Sequence, residues 1–253
     1  RSMLDKKQLE RYLSLCMDSA ADFAEIYEEL ETKETIVMLS GKVEEVNDAV
    51  TSGIGIRLYQ GVQSVYAYTN STEDEKIISL INDLREAFEE TGDKASEQRS
   101  VENSEGLADN QCRRSAQIRL ERVEYENRHP VRIDFTQVPL TEKTSLLTRA
   151  TDAAMAADER IVKVQATLLN VKQIVQISNS EGRLIGDTRV RTRMMAEAFA
   201  KEGSNLQSGG DRPGAGMGLE FFEETTPESI GKEAARVAIV NLSARDCPSG
   251  KMP

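Results

Sequence analysis

The residues able to carry out acid–base, nucleophilic or metal chemistry are few and widely spaced in this chain. Its 253 residues include one histidine, His129, and three cysteines, Cys16, Cys112 and Cys247. A catalytic zinc needs about three protein ligands and a structural zinc needs four, mostly His and Cys. No cysteine or second histidine stands at ligand spacing from His129, and the same scarcity disfavours Ser–His–Asp or Cys–His nucleophiles. We therefore assign no catalytic, cofactor-binding or metal-ligating residue.

Each of these four residues has a plainer structural interpretation. His129 precedes Pro130 in a polar stretch, which predicts a solvated loop histidine. Cys16 falls on the apolar face of a predicted helix and is expected in the core. Cys112 lies in the polar stretch, and no neighbour of Cys247 is arranged to activate its thiol. An odd number of distant cysteines indicates reduced cytosolic thiols rather than a disulfide framework.

A glycine-rich segment, 203–218, is the next candidate. It contains neither a Gly-x-Gly-x-x-Gly motif after a strand nor a Gly-Lys-Ser/Thr ending, so it does not resemble a phosphate cradle. A mobile surface loop is the simplest interpretation. A flap over a substrate groove is the functional alternative.

Charged residues supply two further candidates. Arg189, Arg191 and Arg193 alternate along a predicted strand and so share one face, which is expected to be solvated; binding of a carboxylate group is the minority interpretation. The acidic pairs are predicted to lie on the solvated surface, and none is singled out as a glycosidase-like pair of catalytic carboxylates. These pairs are Glu28-Glu29, Glu44-Glu45 and Glu89-Glu90.

The composition of the chain disfavours some classes of binding partner. The formal net charge of −11 disfavours nucleic-acid backbones and anionic membranes, because both attract clustered Lys and Arg. No apolar run approaches the roughly 20 residues of a membrane span, and residues 1–6 lack the apolar segment of a signal peptide. We expect a cytoplasmic protein without membrane or direct nucleic-acid contacts. Aromatic residues are only 5% of the chain, so the core should be mainly aliphatic.

Hydrophobic periodicity predicts an α+β fold made of two helix-plus-antiparallel-meander units joined by a polar linker. The sheets are expected to be mixed or antiparallel, with helices packed on one face. In the first unit, Thr72 is the expected N-cap of a helix, with Glu75 completing a capping box. The predicted elements are a helix over 4–20, strands over 23–30, 35–39, 42–50, 53–59 and 62–69, and a helix over 72–90.

The remaining chain predicts a second unit of the same kind. Pro227 is expected at the first position of a last helix, after Thr226. Elsewhere we predict a weak helix over 116–127, a helix over 142–157, strands over 162–168 and 171–178, a turn at 179–182 and one or two strands over 183–200. The predicted divisions are 1–92, a linker over 93–129, a central domain over 130–224, and 225–253 as the start of a catalytic domain.

The two predicted units share the order helix, strand, strand, glycine-containing turn, strand, strand. One interpretation is that the halves are structurally similar α+β units. The other, which the general resemblance of β-meanders favours, is that the similarity carries no meaning. Different strand orders in the two halves would exclude the first interpretation.

Several sequence blocks, taken in order, resemble the N-terminal portion of the TldD/PmbA family, whose members are often labelled modulators of DNA gyrase. The match is nearer to the TldD branch than to the PmbA branch. The blocks are ADFAEIY at 21–27, GKVEEV at 41–46, GIGIR at 53–57, AYT at 67–69, HPV at 129–131, DERIV at 158–162, NSEG at 179–182 and PSGKMP at 248–253.

This resemblance implies a zinc metalloprotease that acts on peptides or unfolded segments, often as a pair of related subunits. The family's metal site is a His-Glu-x-x-x-His motif with a further Cys downstream. That motif is expected after the position that matches Pro253, and no residue of this chain matches it. The resemblance therefore implies a chain that is inactive alone, holds no cofactor itself, and serves a full-length protein that binds zinc.

Three functions stay open at this point. The first is a non-catalytic part of a TldD-like metallopeptidase that helps to form the substrate groove and the subunit contacts. The second is a free-standing peptide-binding or dimerisation module. The third, a nucleic-acid regulator, is disfavoured by the negative charge. For either of the first two, an extended peptide added to a sheet edge would be a sequence-tolerant mode of binding.

Overall fold

The structure is a computed structural model that describes residues 3–98, 117–245 and 250. The described residues form five helices, one short 3-10 turn (Phe135–Gln137) and eight strands in a single sheet. The elements in chain order are α1 (Lys6–Met17), β1 (Phe23–Leu39), β2 (Lys42–Gln60), β3 (Gln63–Thr69), α2 (Asp74–Gln98), β4 (Glu121–Val123), α3 (Leu140–Met155), β5 (Ile161–Asn179), β6 (Arg183–Glu202), β7 (Asn205–Asp211), β8 (Gly214–Ala215), α4 (Phe221–Glu224) and α5 (Pro227–Leu242).

The strand order in the sheet is β3-β2-β1-β5-β6-β4, and β7 and β8 also pair with β6. The β2–β3, β6–β7 and β6–β8 pairs are antiparallel, whereas β4 runs parallel to β6. The prediction of an α+β fold with a mixed or antiparallel sheet is thus confirmed. None of the helices in the described residues is both long and apolar enough to cross a bilayer.

The chain divides into two compact units, and the four long strands β1, β2, β5 and β6 each contribute to both. Unit 1 comprises Arg1–Glu31, Val50–Glu126 and Gln173–Thr188. Unit 2 comprises Thr32–Ala49, Asn127–Lys172 and Arg189–Pro253. The units are therefore not consecutive stretches of chain. The four-part division at 1–92, 93–129, 130–224 and 225–253 stays a prediction.

Unit 1 is built on helices α1 and α2. Asp5 caps α1 by accepting the Gln8 N–H at 2.9 Å, while the Gln8 side chain accepts the Asp5 N–H at 3.0 Å, which completes a capping box. Asp74, at the start of α2, accepts a hydrogen bond from the Tyr12 hydroxyl at 2.7 Å and thereby ties the two helices together. The core is mainly aliphatic, as predicted, although Tyr12 and Phe88 also belong to it. Its fully buried aliphatic members include Leu9, Leu13, Ile26, Ile56, Leu58, Ile77 and Ile81.

Unit 2 packs α3 and α5 closely through small residues. A Cβ added at Gly231 of α5 would lie 2.0 Å from the Ala150 carbonyl oxygen of α3, so only glycine permits this approach. Thr226 caps α5 by accepting the Ser229 N–H, and Pro227 occupies the first turn, as predicted. Alanines and medium-sized aliphatic residues fill the space between the helices and the sheet.

Several predicted boundaries were wrong. The strands predicted as 23–30 and 35–39 form one strand, as do 42–50 with 53–59 and 162–168 with 171–178, because no turn residue with positive φ separates them. The helix predicted over 116–127 is replaced by β4, whose Glu121 N–H donates to the Gly182 carbonyl at 2.7 Å. Helix α2 begins at Asp74, so Thr72 is not its N-cap.

The prediction for the glycine-rich segment was also wrong. The segment is part of the packed sheet and is neither a mobile loop nor a flap. It forms β7 and β8, both paired with β6. A Cβ added at Gly209 would lie 2.1 Å from the Ala238 backbone nitrogen in α5. A Cβ at Gly218 would lie 2.1 Å from the Ile133 carbonyl oxygen. These glycines allow close backbone packing within unit 2.

The two halves of the chain repeat one order of elements. A helix, a pair of long strands and a short returning strand occur as α1-β1-β2-β3, followed by α2, and again as α3-β5-β6-β7, followed by β8, α4 and α5. Both short strands follow two-residue turns that begin with a left-handed glycine, Gly61 (φ 56°) and Gly203 (φ 58°). The strand orders β3-β2-β1 and β7-β6-β5 match, which supports the similar-unit interpretation.

Candidate functional site

The scarce histidine and cysteines do not form a reactive centre in the described residues. His129 is exposed in a bend, as predicted, and its backbone N–H donates to the Asn127 side chain at 3.0 Å. Cys16 is fully buried, also as predicted, and burial raises the pKa of its thiol to about 12. Cys112 and Cys247 lie outside the described residues.

The described residues do not provide a metal centre. Residues 3–98, 117–245 and 250 contain no group of three or more His, Cys, Asp or Glu side chains close enough to hold an ion. A buried, protonated thiol and an isolated exposed imidazole do not match the donor set that zinc requires.

The arginine stripe on β6 lies as predicted. Arg189, Arg191 and Arg193 are exposed, and the side chains between them, Val190 and Thr192, are buried. The three guanidinium groups therefore share the solvated face of the strand.

One prediction about the acidic pairs was wrong. Glu44 and Glu45 are exposed, and the side chains of Glu89 and Glu90 lie outside the described residues, but Glu28 is 97% buried, with 3% of its surface exposed. Glu28 shares the core-facing side of β1 with Ala24 and Ile26, so strand alternation places it inward whatever its charge.

Backbone and side-chain donors hold the buried carboxylate of Glu28. The Leu4 N–H donates to both carboxylate oxygens at 3.0 Å, and the Gln176 Nε2 donates at 3.3 Å. Gln176 also donates to the Leu4 carbonyl at 3.0 Å. Burial raises the pKa of Glu28, although both donors act against that shift. This cluster fixes the start of the described chain onto unit 1.

A second buried charge cluster lies in unit 2 and was not anticipated from the sequence. Lys143 of α3 is 5% exposed and donates to the carboxylate of Glu34, which is 7% exposed. Asn170 donates to the same carboxylate at 2.9 Å, and the Lys143 ammonium lies 5.8 Å from the centre of the Phe135 ring. Every charge here is paired, so the cluster is interpreted as structural.

The clearest binding feature of unit 2 is an unpaired strand edge. We call residues Lys42–Ala49 of β2 the edge segment. One side of β2 faces β1, and β3 covers the other side only along Ile54–Gln60. Within the described residues no strand covers the outer side of the edge segment, and its side chains are exposed on both faces. Val43 and Val46 are 45% and 43% exposed.

The corresponding part of β6 is covered instead. In unit 2, β8 pairs with Thr192 and Arg193, and the Met194 N–H donates to the Pro213 carbonyl at 3.2 Å. From Ala196 onward β6 pairs with β7. Among the long strands in the described part of unit 2, the edge segment therefore presents unpaired backbone N–H and C=O groups to a further strand.

Comparison with known proteins places this architecture in a family. The model of PmbA/TldA metallopeptidase domain 1 matches residues 24–95, and the model of the PmbA/TldA metallopeptidase central domain matches residues 133–242. Together these matches cover more than half of the chain. They include the four long strands, the helices α3 and α5, and the edge segment.

Full-length relatives are about twice as long as this chain. A metalloprotease TldD homologue of Haemophilus influenzae is 28% identical over 240 residues, which cover 92% of this chain and 45% of the relative. A metalloprotease of Methanocaldococcus jannaschii is 26% identical over 251 residues, which cover 98% of this chain and 50% of that relative. The chain therefore spans about half the length of the curated relatives it matches.

Solved structures share the fold at low sequence identity. A Thermotoga maritima protein named "putative modulator of a DNA gyrase" has a TM-score of 0.67 at 20% identity, with 96% of this chain and 50% of that chain covered. TldE of Thermococcus kodakarensis has a TM-score of 0.62 at 13% identity, with 92% of this chain and 47% of TldE covered. The family matches, the relatives and the shared fold agree, and the chain belongs to the PmbA/TldD metallopeptidase family.

Proposed function

We propose that this chain is the non-catalytic N-terminal part of a TldD-like zinc metallopeptidase that acts on peptides or unfolded segments. In this proposal it helps to form the substrate groove and the subunit contacts, and the zinc is held by the rest of the full-length protein. Family membership, the name metalloprotease carried by its relatives, and their roughly twofold greater length support the proposal.

The observation that carries the proposal is the edge segment. Its backbone offers hydrogen-bonding groups to any extended polypeptide, whatever its side chains, and this is the tolerance that a peptidase for unfolded segments needs. Val43 and Val46 are exposed on opposite faces of β2, so each would contact side chains on a different face of the added strand. A packed helix face would instead select for one folded partner.

Charge selects among the strands that would add to this edge. Lys42 is followed by Glu44, Glu45 and Asp48, so the edge segment carries a net charge of −2. A second copy of the same strand would bring like charges together, which is unfavourable for cross-strand pairs. Charged edges are also a common protection against self-pairing. An extended substrate with lysine or arginine side chains is therefore the favoured occupant.

The test is a titration followed by backbone amide chemical shifts. The titrant is a twelve-residue peptide of alternating lysine and threonine, and the same peptide with glutamate in place of lysine serves as the comparison. We expect shifts concentrated in Lys42–Ala49, larger for the lysine peptide. Perturbations scattered away from this segment would contradict strand addition.

Two neighbouring proline substitutions provide a matched control. Successive N–H groups of a strand point to opposite edges, so of Val46→Pro and Asn47→Pro one removes an outward N–H and the other an N–H directed at β1. The outward substitution should leave the fold intact and weaken the peptide. The inward one should destabilise the strand. Equal peptide binding by a folded outward variant would refute the edge as the binding site.

Subunit pairing and location complete the proposal. A structural neighbour is TldE, and we propose that the full-length protein forms a homo- or hetero-oligomer with a related subunit. Light scattering after gel filtration of the full-length protein, alone and mixed with its nearest paralogue, tests this; a monomer in both samples would refute it. We further propose a cytoplasmic location, which the three scattered cysteines favour.

A further inference from the structure

An open trough lies on unit 1. It has a volume of about 250 Å³. Its floor is the backbone of β2 around Gly53 and Gly55, and its walls come from the neighbouring strands. The lining residues used below are Tyr27 and Glu29 of β1, the two glycines, and Tyr66 and Tyr68 of β3.

The glycines make the trough. Gly55 pairs with Tyr68 across the β2–β3 ladder, and the Tyr66 ring lies over Gly55, so that a Cβ there would lie 2.7 Å from the Tyr66 hydroxyl. Because β1 and β3 flank β2, the strands that carry the two walls are about 9–10 Å apart. That spacing admits one side chain between the walls.

The walls are aromatic and acidic. Tyr66 and Tyr68 are 53% and 76% exposed, and their rings stack with centroids 6.4 Å apart. On the opposite wall the Tyr27 hydroxyl donates to the carboxylate of Glu29, which is the only charged residue among those lining the trough. Aromatic faces carry partial negative charge, so both walls favour a cation.

One of these rings, Tyr66, already contacts a guanidinium group within the protein. The Arg57 Cζ lies 5.0 Å from the centre of the Tyr66 ring and 6.0 Å from that of Tyr59. Arg57 is not part of the trough lining, and Glu25 offsets its charge nearby. With Glu29 included, the local charge is −1, so a further cation is still attracted.

We infer that this trough is a binding site for a cationic side chain, lysine or arginine, presented by another polypeptide. The tyrosine ring faces contact the alkyl chain of a lysine or the guanidinium plane of an arginine. The Glu29 carboxylate neutralises the positive charge of that side chain. The inference does not depend on strand addition, because a single side chain can enter the trough without pairing its backbone to any edge.

The test uses probes too short to form a strand. N-acetyl-arginine amide and N-acetyl-lysine amide are titrated while the amide signals of Gly53 and Gly55 are followed, and N-acetyl-norleucine amide serves as the uncharged probe. We expect the two cations to shift these signals and norleucine amide to have little effect. Equal effects of all three probes would overturn the inference.

Substitutions assign the contribution of each wall. Tyr68→Ala should weaken the cationic probes about two- to fivefold, the range for one exposed cation–π contact. Tyr68→Leu keeps the apolar bulk and should weaken binding of the cationic probes by a similar factor. Glu29→Gln should also weaken their binding, and the size of this effect should depend on the salt concentration. Tyr125→Ala, an exposed tyrosine of unit 1 that does not line the trough, is the control.

The outcomes separate this inference from the proposed function. Probe binding that is about two- to fivefold weaker in Tyr68→Leu, with unchanged binding in Tyr125→Ala, supports the trough, whatever the proline variants of the edge segment show. Unchanged probe binding in Tyr68→Leu, or an equal loss in Tyr125→Ala, would refute the trough while leaving strand addition intact.

Discussion

The buried pair Lys143–Glu34 gives the sharpest stability prediction. Its side chains are 6% and 10% exposed, and Asn170 supplies a further hydrogen bond to the carboxylate. Lys143→Met keeps most of the side-chain volume but leaves the Glu34 charge buried without a cation. Removing one partner of a buried ion pair costs about 3–5 kcal/mol. A chain of this size loses about 2–4 °C of melting temperature per kcal/mol, so a fall of roughly 6–20 °C is expected.

The double substitution Lys143→Met with Glu34→Gln tests the cause. No charge is then left buried, and the amide oxygen of the introduced glutamine still accepts from Asn170, so most of the lost stability should return. Thermal unfolding and urea unfolding, both followed by circular dichroism, compare the parent, the single variant and the double variant. The control is Arg236→Met in the exposed pair with Glu233, which should leave the urea midpoint unchanged.

Two results would refute this reasoning. If Lys143→Met lowers stability no more than Arg236→Met, the pair is not buried as described. If the double variant is as unstable as the single one, the loss comes from altered packing of α3 rather than from an uncompensated charge.

Three further predictions concern pH and packing. Burial raises the folded pKa of Glu28, so its charged form opposes folding; Glu28→Gln should unfold at higher urea than the parent at pH 8, with the difference shrinking towards pH 4. At Glu220, burial acts to raise the pKa, but hydrogen bonds from backbone N–H groups outweigh it and the pKa is lowered. Stability from Glu220 is thus present above pH 4.5 and lost as the pH falls through its folded pKa; Glu220→Gln should cost about 1.5–3 kcal/mol at pH 7 and less in acid, and a constant difference would contradict this. Gly209→Ala should cost at least about 1–3 kcal/mol because its Cβ would overlap the Ala238 nitrogen, whereas Gly216→Ala, with its nearest contact at 4.0 Å, should be neutral in the same urea assay.

Local signals in the sequence were sufficient for the turns and for the face of each helix. Ser40-Gly41, between the strands predicted over 35–39 and 42–50, adopts positive φ values of 45° and 83°. Gly61, between those predicted over 53–59 and 62–69, and Gly182, in the turn predicted at 179–182, also lie in the left-handed region. Cys16 is in the core because helical periodicity places it beside Leu9 and Leu13. These features depend on neighbours within a few residues, which the sequence displays directly.

Features that depend on distant partners were missed. The stretch 31–34, Glu-Thr-Lys-Glu, falls between the strands predicted over 23–30 and 35–39, but in the structure it is part of β1. The buried charge of Glu34 in this stretch is neutralised inside unit 2 by Lys143, which is 109 residues away. Glu28 was likewise predicted on the surface. Its donor Gln176 lies 148 residues away, so the sequence around Glu28 does not show that a buried carboxylate would have a partner.

The trough was missed for the same reason. From the sequence, Gly53 and Gly55 are only members of the strand predicted over 53–59. Their importance follows from the pairing of β2 with β3, which brings Tyr66 and Tyr68 beside them. Strand register is a tertiary property and is not fixed by the spacing of residues within one strand.

The most direct measurement of the central claim is one experiment with two readouts. The purified chain is mixed with zinc and a fluorescently labelled, unfolded lysine-rich peptide, and both cleavage and backbone amide shifts are recorded. The account predicts shifts along Lys42–Ala49 and no cleavage. Cleavage of the peptide by this chain, abolished by a single substitution within it, would contradict the account.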